Sequence, residues 1–323
     1  MYSIGIRRRR RGTMAGKQSK RQSKTLNSKQ DLVKASQYFK DNDLLLNPPI
    51  KRAAYSDRMA WVLASMSDLV YDPFEGKDGK AKELLIAKLK SGGFEWVDEF
   101  IDPDTDTQAF LVKTREYAVL AFRGTEIKKR QDVKTDIAAT MVSIIEGRVH
   151  TGFIQAYKRV EPQIEASLKK VKDLPLYITG HSLGAALATV ATQYLERNHL
   201  IRDQIAACYT FGSPRVGNNQ FDQEFKAAIY RVVNTADIVT VIPLLAMGYI
   251  HIGDVRFLET SAGNVKRAIP IIPRTLFFLA GMIRLFGPWV SDHGIDKYRE
   301  KLSAIARNRN HGLFMDGTSG GKF

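Results

Sequence analysis

Residues 176–188 read Leu-Tyr-Ile-Thr-Gly-His-Ser-Leu-Gly-Ala-Ala-Leu-Ala. Leu176, Tyr177 and Ile178 form an apolar run with strand character. The G-x-S-x-G pattern of Gly180 to Gly184 comes next, followed by small helix-forming residues. The pattern alone is common by chance, but between a strand and a helix it is a nucleophile elbow, a tight turn that raises a serine at the N-terminus of the helix. Gly180 and Gly184 stand two residues either side of Ser182, where the strand and helix backbones approach and a Cβ would clash. Ala185, Ala186 and Ala188 let the helix lie close to the sheet.

Outward from the elbow, strands alternate with helices. Met59, Leu63, Met66, Leu69 and Val70 recur at helical spacing behind Tyr55 and Ser56, and Lys80 to Leu89 reads as a second short helix. Phe94 to Ile101 and Ala109 to Thr114 alternate apolar with polar residues around DPDTDTQ, the pattern of a hairpin. Glu116 to Thr125 is a nearly continuous apolar strand, as expected for one buried on both faces. Glu126 to Arg148 is expected to carry a helix, as is Phe153 to Leu168. Beyond the elbow helix come the strand AACYTFGSP, a helix near Phe221 to Ile229, and the strand YRVVNTADIVTVIP. This order predicts an α/β fold with a largely parallel sheet and crossover helices. No internal repeat or interior linker divides the 323 residues, so one catalytic domain over 35–305 is expected between a basic tail, 1–34, and a polar C-terminal tail, 306–323.

The net charge of +15 is unevenly placed: residues 1–34 hold eleven basic residues against Asp31 alone, a net +10. Ser, Gln, Gly and Asn separate these charges and large apolar residues are few, so the tail is not expected to fold by itself. It reads as a solvated extension, an upstream start before Met14, or an attachment to anionic lipid or nucleic acid. An organelle transit peptide is a weaker match. No apolar secretory h-region follows the arginines. The stretch 269–290 is apolar but carries Arg274, Arg284 and three prolines, leaving too short a core for a span of about 20 residues. It reads as a buried helix or as the rim of a lipid-binding cleft, with Phe277, Phe278, Leu279 and Leu285 as the apolar contacts. The single Cys208 excludes an internal disulfide and reads as a small core residue. From these features a cytoplasmic or peripheral-membrane location is expected.

A serine hydroxyl needs a histidine base, and that histidine needs an acid to fix its tautomer. In α/β-hydrolases these follow the serine in the order acid, then histidine. Asp237, just after the strand RVVN, is placed where catalytic groups gather, at the carboxyl end of a strand; Asp254 and Asp292 are weaker candidates. Of the histidines beyond Asp237, His311 lies in the polar C-terminal stretch and His251 alternates like a strand residue. His293 lies in a loop before a final amphipathic helix with Ile295, Tyr298 and Leu302 on one face. His150 and His181 read as packing or support residues. The oxyanion needs backbone donors, for which the amides of Leu183, after the nucleophile, and Thr125, at the end of AFRGT, are the candidates.

In chain order, YSDRMAWVLASMSDLVYDPF, VLAFRGT, RVHTGF, YITGHSLGAALATVA, YTFGSPRVGN, VVNTADIVTVIP and DHGIDKY resemble the class 3, or fungal-lipase-like, lipases over about residues 53–302. The resemblance implies an α/β-hydrolase with the triad Ser182, Asp237 and His293, an oxyanion hole at Thr125 and Leu183, and a mobile lid after FRGT. Asp132-Val133 stands where the family often has Asp-Trp at the lid. The signal peptide and disulfides usual in secreted members are not recognised. The implied activity is a serine carboxylesterase acting on lipid acyl esters of the triacylglycerol type, with phospholipase A1 or monoacylglycerol lipase as alternatives. A hydrolase fold serving only membrane or nucleic-acid binding is the remaining one. No cofactor or metal is called for.

Overall fold

The computed structural model describes residues 28–39, 42–45, 54–75, 79–124, 141–234, 237, 239–241, 247–258, 265–266 and 293–309. Eight strands form one sheet through them: β1 (Glu95–Asp102), β2 (Thr107–Lys113), β3 (Ala118–Phe122), β6 (Leu176–His181), β7 (Ile205–Phe211), β8 (Ile229–Asn234), β9 (Asp254–Leu258) and β10 (Val265–Lys266). They lie side by side in that order. Strands β3, β6, β7, β8 and β9 pair in parallel, while β1, β2 and β10 add antiparallel edges.

The parallel strands are buried on both faces, and successive residues feed two separate cores. Along β3, Val119 and Ala121 face one core, and Ala118, Leu120 and Phe122 face the other. The first core is covered by α2 (Asp57–Leu69), α3 (Gly79–Ser91) and the helix α7 (Ile295–Arg309), whose Tyr298, Leu302 and Ile305 are buried in it. The second is covered by α4 (Thr151–Leu168) and the elbow helix α5 (Leu183–Arg197). Cys208, on β7, is fully buried in that second core, and burial pushes its thiol up to about 12.

Three local expectations are corrected. Within Glu126 to Arg148, Met141–Ile144 is a strand, β4, paired with β5 (Gly147–His150), in place of the expected helix. The β-branched Val142 and Ile144 favour the strand, and Gly147, at φ 127°, supplies a backbone conformation that L-residues rarely adopt. The helix near Phe221 covers only Asn219–Gln223, α6, because Asn218 caps it by accepting from the Phe221 amide and the chain enters β8 by Ile229. The strand after Tyr230 ends at Asn234, and Asp237 already lies in a turn, its amide donating to the Asn234 carbonyl at 3.0 Å.

The described chain begins with helix α1 (Ser28–Ser36), which straddles residue 34, and α7 runs beyond residue 305. Among the described residues no helix is long and apolar enough to cross a membrane. Thr125 and the expected lid after it, the 269–290 stretch, Asp292 and His311 lie outside the described residues.

Candidate active site

Strand β6 ends at His181, and α5 begins at Leu183, so the whole reversal falls on Ser182. Its φ of 57° and ψ of −128° place it where a non-glycine residue is strained. Two close approaches enforce that strain. A Cβ on Gly180 would lie 2.2 Å from the Gly184 carbonyl oxygen, and one on Gly184 would lie 2.3 Å from the Phe122 carbonyl oxygen. The elbow therefore works only with bare backbone at both positions. The Ser182 amide donates to the Phe211 carbonyl at 3.0 Å, which ties the elbow to the end of β7.

The residue after Phe211, Gly212, has φ 57°, and a Cβ there would lie 2.6 Å from Asp237 Oδ2 and 3.0 Å from the imidazole of His293. Glycine thus leaves the space that the Asp237–His293 pair fills. His293 Nδ1 donates to Asp237 Oδ2 at 2.8 Å, and the Asp237 carboxylate is wholly buried. That carboxylate also accepts from the Tyr298 hydroxyl at 2.5 Å and, through Oδ1, from the Val239 amide at 2.9 Å. These three donors satisfy a buried charge that would otherwise be costly. Burial and the neighbouring Asp237 hold the Tyr298 phenol well above the usual tyrosine range, so it remains a donor. With Nδ1 committed to Asp237, His293 Nε2 is buried without a hydrogen-bond partner among the described residues.

His181 lies on the other side of His293. Its Nε2 meets the His293 carbonyl oxygen at 2.6 Å, its Nδ1 meets the Tyr71 hydroxyl at 3.0 Å, and the two imidazoles pack at a tilt of 36° with centroids 4.5 Å apart. His150, by contrast, caps α4 by accepting from the Gly152 amide, and its ring packs on Phe153 at 4.4 Å. His251 lies in the turn before β9. The structure therefore places Ser182 after β6, Asp237 three residues past the end of β8 and His293 just before α7, bonded to Asp237, and leaves His150 and His251 in other settings. Leu183 opens α5, where the first amides of a helix lack partners within it and are free to face an anion.

Sequence reading does not anticipate Tyr298 as a donor to Asp237, the space kept open by Gly212, or Tyr71. Tyr298 is legible only as an apolar-face residue of its helix. Among the described residues no group of three or more His, Cys, Asp or Glu side chains could hold a metal ion.

Residues 119–247, which contain the elbow and Asp237, match the family model described as Lipase (class 3). This part of the chain is similar to the class 3 lipases. The secreted mono- and diacylglycerol lipase 1 of Fusarium solani is 40% identical over 110 residues, 32% of this chain and 32% of that enzyme. The secreted mono- and diacylglycerol lipase A of Penicillium cyclopium is 33% identical over 169 residues, 50% of this chain and 54% of the relative. The chain thus spans about a third to a half of the length of the curated relatives it matches. A solved triacylglycerol lipase, described as having a serine protease triad at its catalytic centre, superposes with a TM-score of 0.56 at 22% identity, covering 74% of this chain and 94% of that one. That likeness establishes the α/β-hydrolase fold. The relatives also correct the expected location: they are secreted enzymes, which overturns the cytoplasmic or peripheral-membrane placement inferred from the lone cysteine and the basic start.

Proposed function

We propose that the protein is a class 3 lipase that hydrolyses acyl esters of glycerides outside the cell, with Ser182 as nucleophile, His293 as general base and acid, and Asp237 as the orienting carboxylate. The observation that carries this reading is the buried 2.8 Å pair of His293 Nδ1 and Asp237 Oδ2, which leaves Nε2, beside the strained elbow, without a partner among the described residues. The elbow is bonded to Phe211, and Gly212, the next residue, lies against the His293 ring.

In this reaction the Ser182 oxygen bonds to the ester carbonyl carbon while its proton passes to His293 Nε2. Asp237 stabilises the imidazolium and itself stays ionised. As the carbon–oxygen bond to the alcohol breaks, His293 returns the proton to the departing oxygen, leaving an acyl-Ser182. Water repeats the sequence, delivering a proton to His293 and a hydroxyl to the carbonyl, and the fatty acid leaves with Ser182 restored. The oxyanion formed in each half is assigned to the amides of Leu183 and Thr125; losing one such donor costs about 3 kcal/mol of barrier.

The names of the relatives favour mono- and diacylglycerols over triacylglycerol as substrates. Ser182→Ala is expected to lower hydrolysis of a short-chain nitrophenyl ester by at least about a thousandfold with an unchanged circular dichroism spectrum. Retention of most activity would refute the assignment. Release of fatty acid from matched mono-, di- and triacylglycerols and a phosphatidylcholine tests the substrate class: preference for the partial glycerides is expected, and a dominant phosphatidylcholine rate would replace it with a phospholipase.

A further inference from the structure

His181, the elbow histidine, meets His293 through both a hydrogen bond and a ring contact. A carbonyl oxygen only accepts, so the 2.6 Å contact with His293 O requires the proton of His181 to sit on Nε2. Nδ1 is then an acceptor, and the Tyr71 hydroxyl at 3.0 Å is its donor. Both ring nitrogens of a side chain that is only 5% exposed are thereby satisfied. Tyr71 itself is fixed from a third direction: a Cβ on Gly124 would lie 2.4 Å from its hydroxyl, so the loop leaving β3 closes on it.

We infer that His181 is a positioning residue for His293, part of a relay from the Tyr71 hydroxyl through the His181 ring to the His293 carbonyl that fixes the main chain carrying the base. The inference rests on His293 being the base. Asp237 and Tyr298 orient the ring of His293 from its Nδ1 side, but neither holds its backbone. The main-chain hold comes from His181, at one residue's distance from the nucleophile, so a single strand end sets the spacing of both reacting groups.

The relay depends on an uncharged His181. Burial, then the neighbouring His293, holds its imidazole well below the usual histidine range. The ionisable groups around the pair are Asp237 and Tyr298 at His293, Arg231 acting on Tyr298, and Arg123, whose guanidinium lies 6.0 Å from the Tyr71 ring centre and 3.7 Å from Glu75. When His293 accepts the Ser182 proton, the packed ring facing its positive charge is therefore neutral and adds no like charge.

The test uses the full chain with a soluble ester and, separately, an alkyl fluorophosphonate that phosphonylates an activated serine. His181→Phe keeps a ring packed on His293 and removes both hydrogen bonds. It is expected to lower kcat and the fluorophosphonate rate roughly 10- to 100-fold, the scale of an ångström-sized misplacement, with KM little changed and the acid limb of the kcat/KM profile displaced. His181→Gln, whose side-chain amide can reach the same carbonyl, is expected to recover most of the loss. Tyr71→Phe, which leaves the ring in place but frees its tautomer, is expected to fall between them. A purely structural role would lower the melting temperature without moving the pH profile. A His181→Phe enzyme with wild-type kcat and a superimposable pH profile overturns the inference; should that variant fail to fold, the same comparison is made with Tyr71→Phe. A wild-type chain whose Ser182 is inert to the fluorophosphonate overturns the hydrolase reading itself, a result distinct from variants that label as fast as the wild type.

Discussion

The two halves of the site are held by different kinds of interaction. On the nucleophile side, position is set by steric exclusion within a short stretch: Gly180 and Gly184 let three backbones close on one another, and Ser182 takes the strain. Around His293, Asp237 meets the distant segment that carries both His293 and Tyr298, and the three are held by directional side-chain hydrogen bonds. A serine placed by packing tolerates no added atom, whereas the Asp237–His293 pair, placed by hydrogen bonds, is expected to lose its geometry in steps as donors are removed.

Gly184→Ala tests the packed half most severely. Its Cβ would lie 2.3 Å from a backbone oxygen that has no flexible atom to yield, so a stability loss of about 3 kcal/mol or more and abolished activity are expected in urea unfolding and ester assays. A Gly184→Ala enzyme as stable as wild type would end the contrast between the halves. Asp237→Asn should leave the fold and the elbow in place while kcat falls roughly 10³- to 10⁴-fold, because the amide can no longer hold the tautomer that exposes Nε2. Tyr298→Phe removes one hydrogen bond to a charged group, worth about 1.5–3 kcal/mol. A tenfold to hundredfold drop in kcat is expected, with its melting curve separating that effect from loss of packing.

The pH dependence of stability sharpens the comparison further. His181 titrates below its unfolded value, so as pH falls below about 6.5 the unfolded chain binds a proton that the folded one refuses. Stability should decline by up to about 1.4 kcal/mol per pH unit from this residue, between its unfolded and folded pKa. The decline should be shallower by that amount in His181→Gln; parallel curves would show that His181 is not held neutral. The smallest effect is expected far from the reacting groups. Ser56→Ala deletes the side-chain cap that accepts from the Met59 amide, lowering stability by about 1 kcal/mol with kcat unchanged.

The same division explains what could be read from the sequence. The elbow is legible because its determinants are local and small: two glycines, a serine and an apolar strand within a few residues. The burial of β3 and β6 on both faces is legible for the same reason, since a continuous apolar run is written in the chain itself. Asp237 and His293 are reachable through chain order. Tyr298, Gly212 and Tyr71 are not, because a tyrosine on an apolar helix face and a glycine at a strand end have many uses. Their roles arise only once segments distant in the chain meet: Tyr298 and Asp237 are 61 residues apart, Tyr71 and His181 110. Met141–Ile144 reads ambiguously because a short apolar run fits either period, and the hairpin depends on a turn closed by Gly147.

Helix α7, which begins two residues after His293, packs on α2, where Arg309 pairs with Asp57 at 3.0 Å and Arg299 donates to Ser65 at 3.0 Å. During synthesis the elbow and its serine leave the ribosome more than a hundred residues before this helix does. The loop that carries His293 is anchored through α7 to α2, so residues more than two hundred positions apart in the chain set its place.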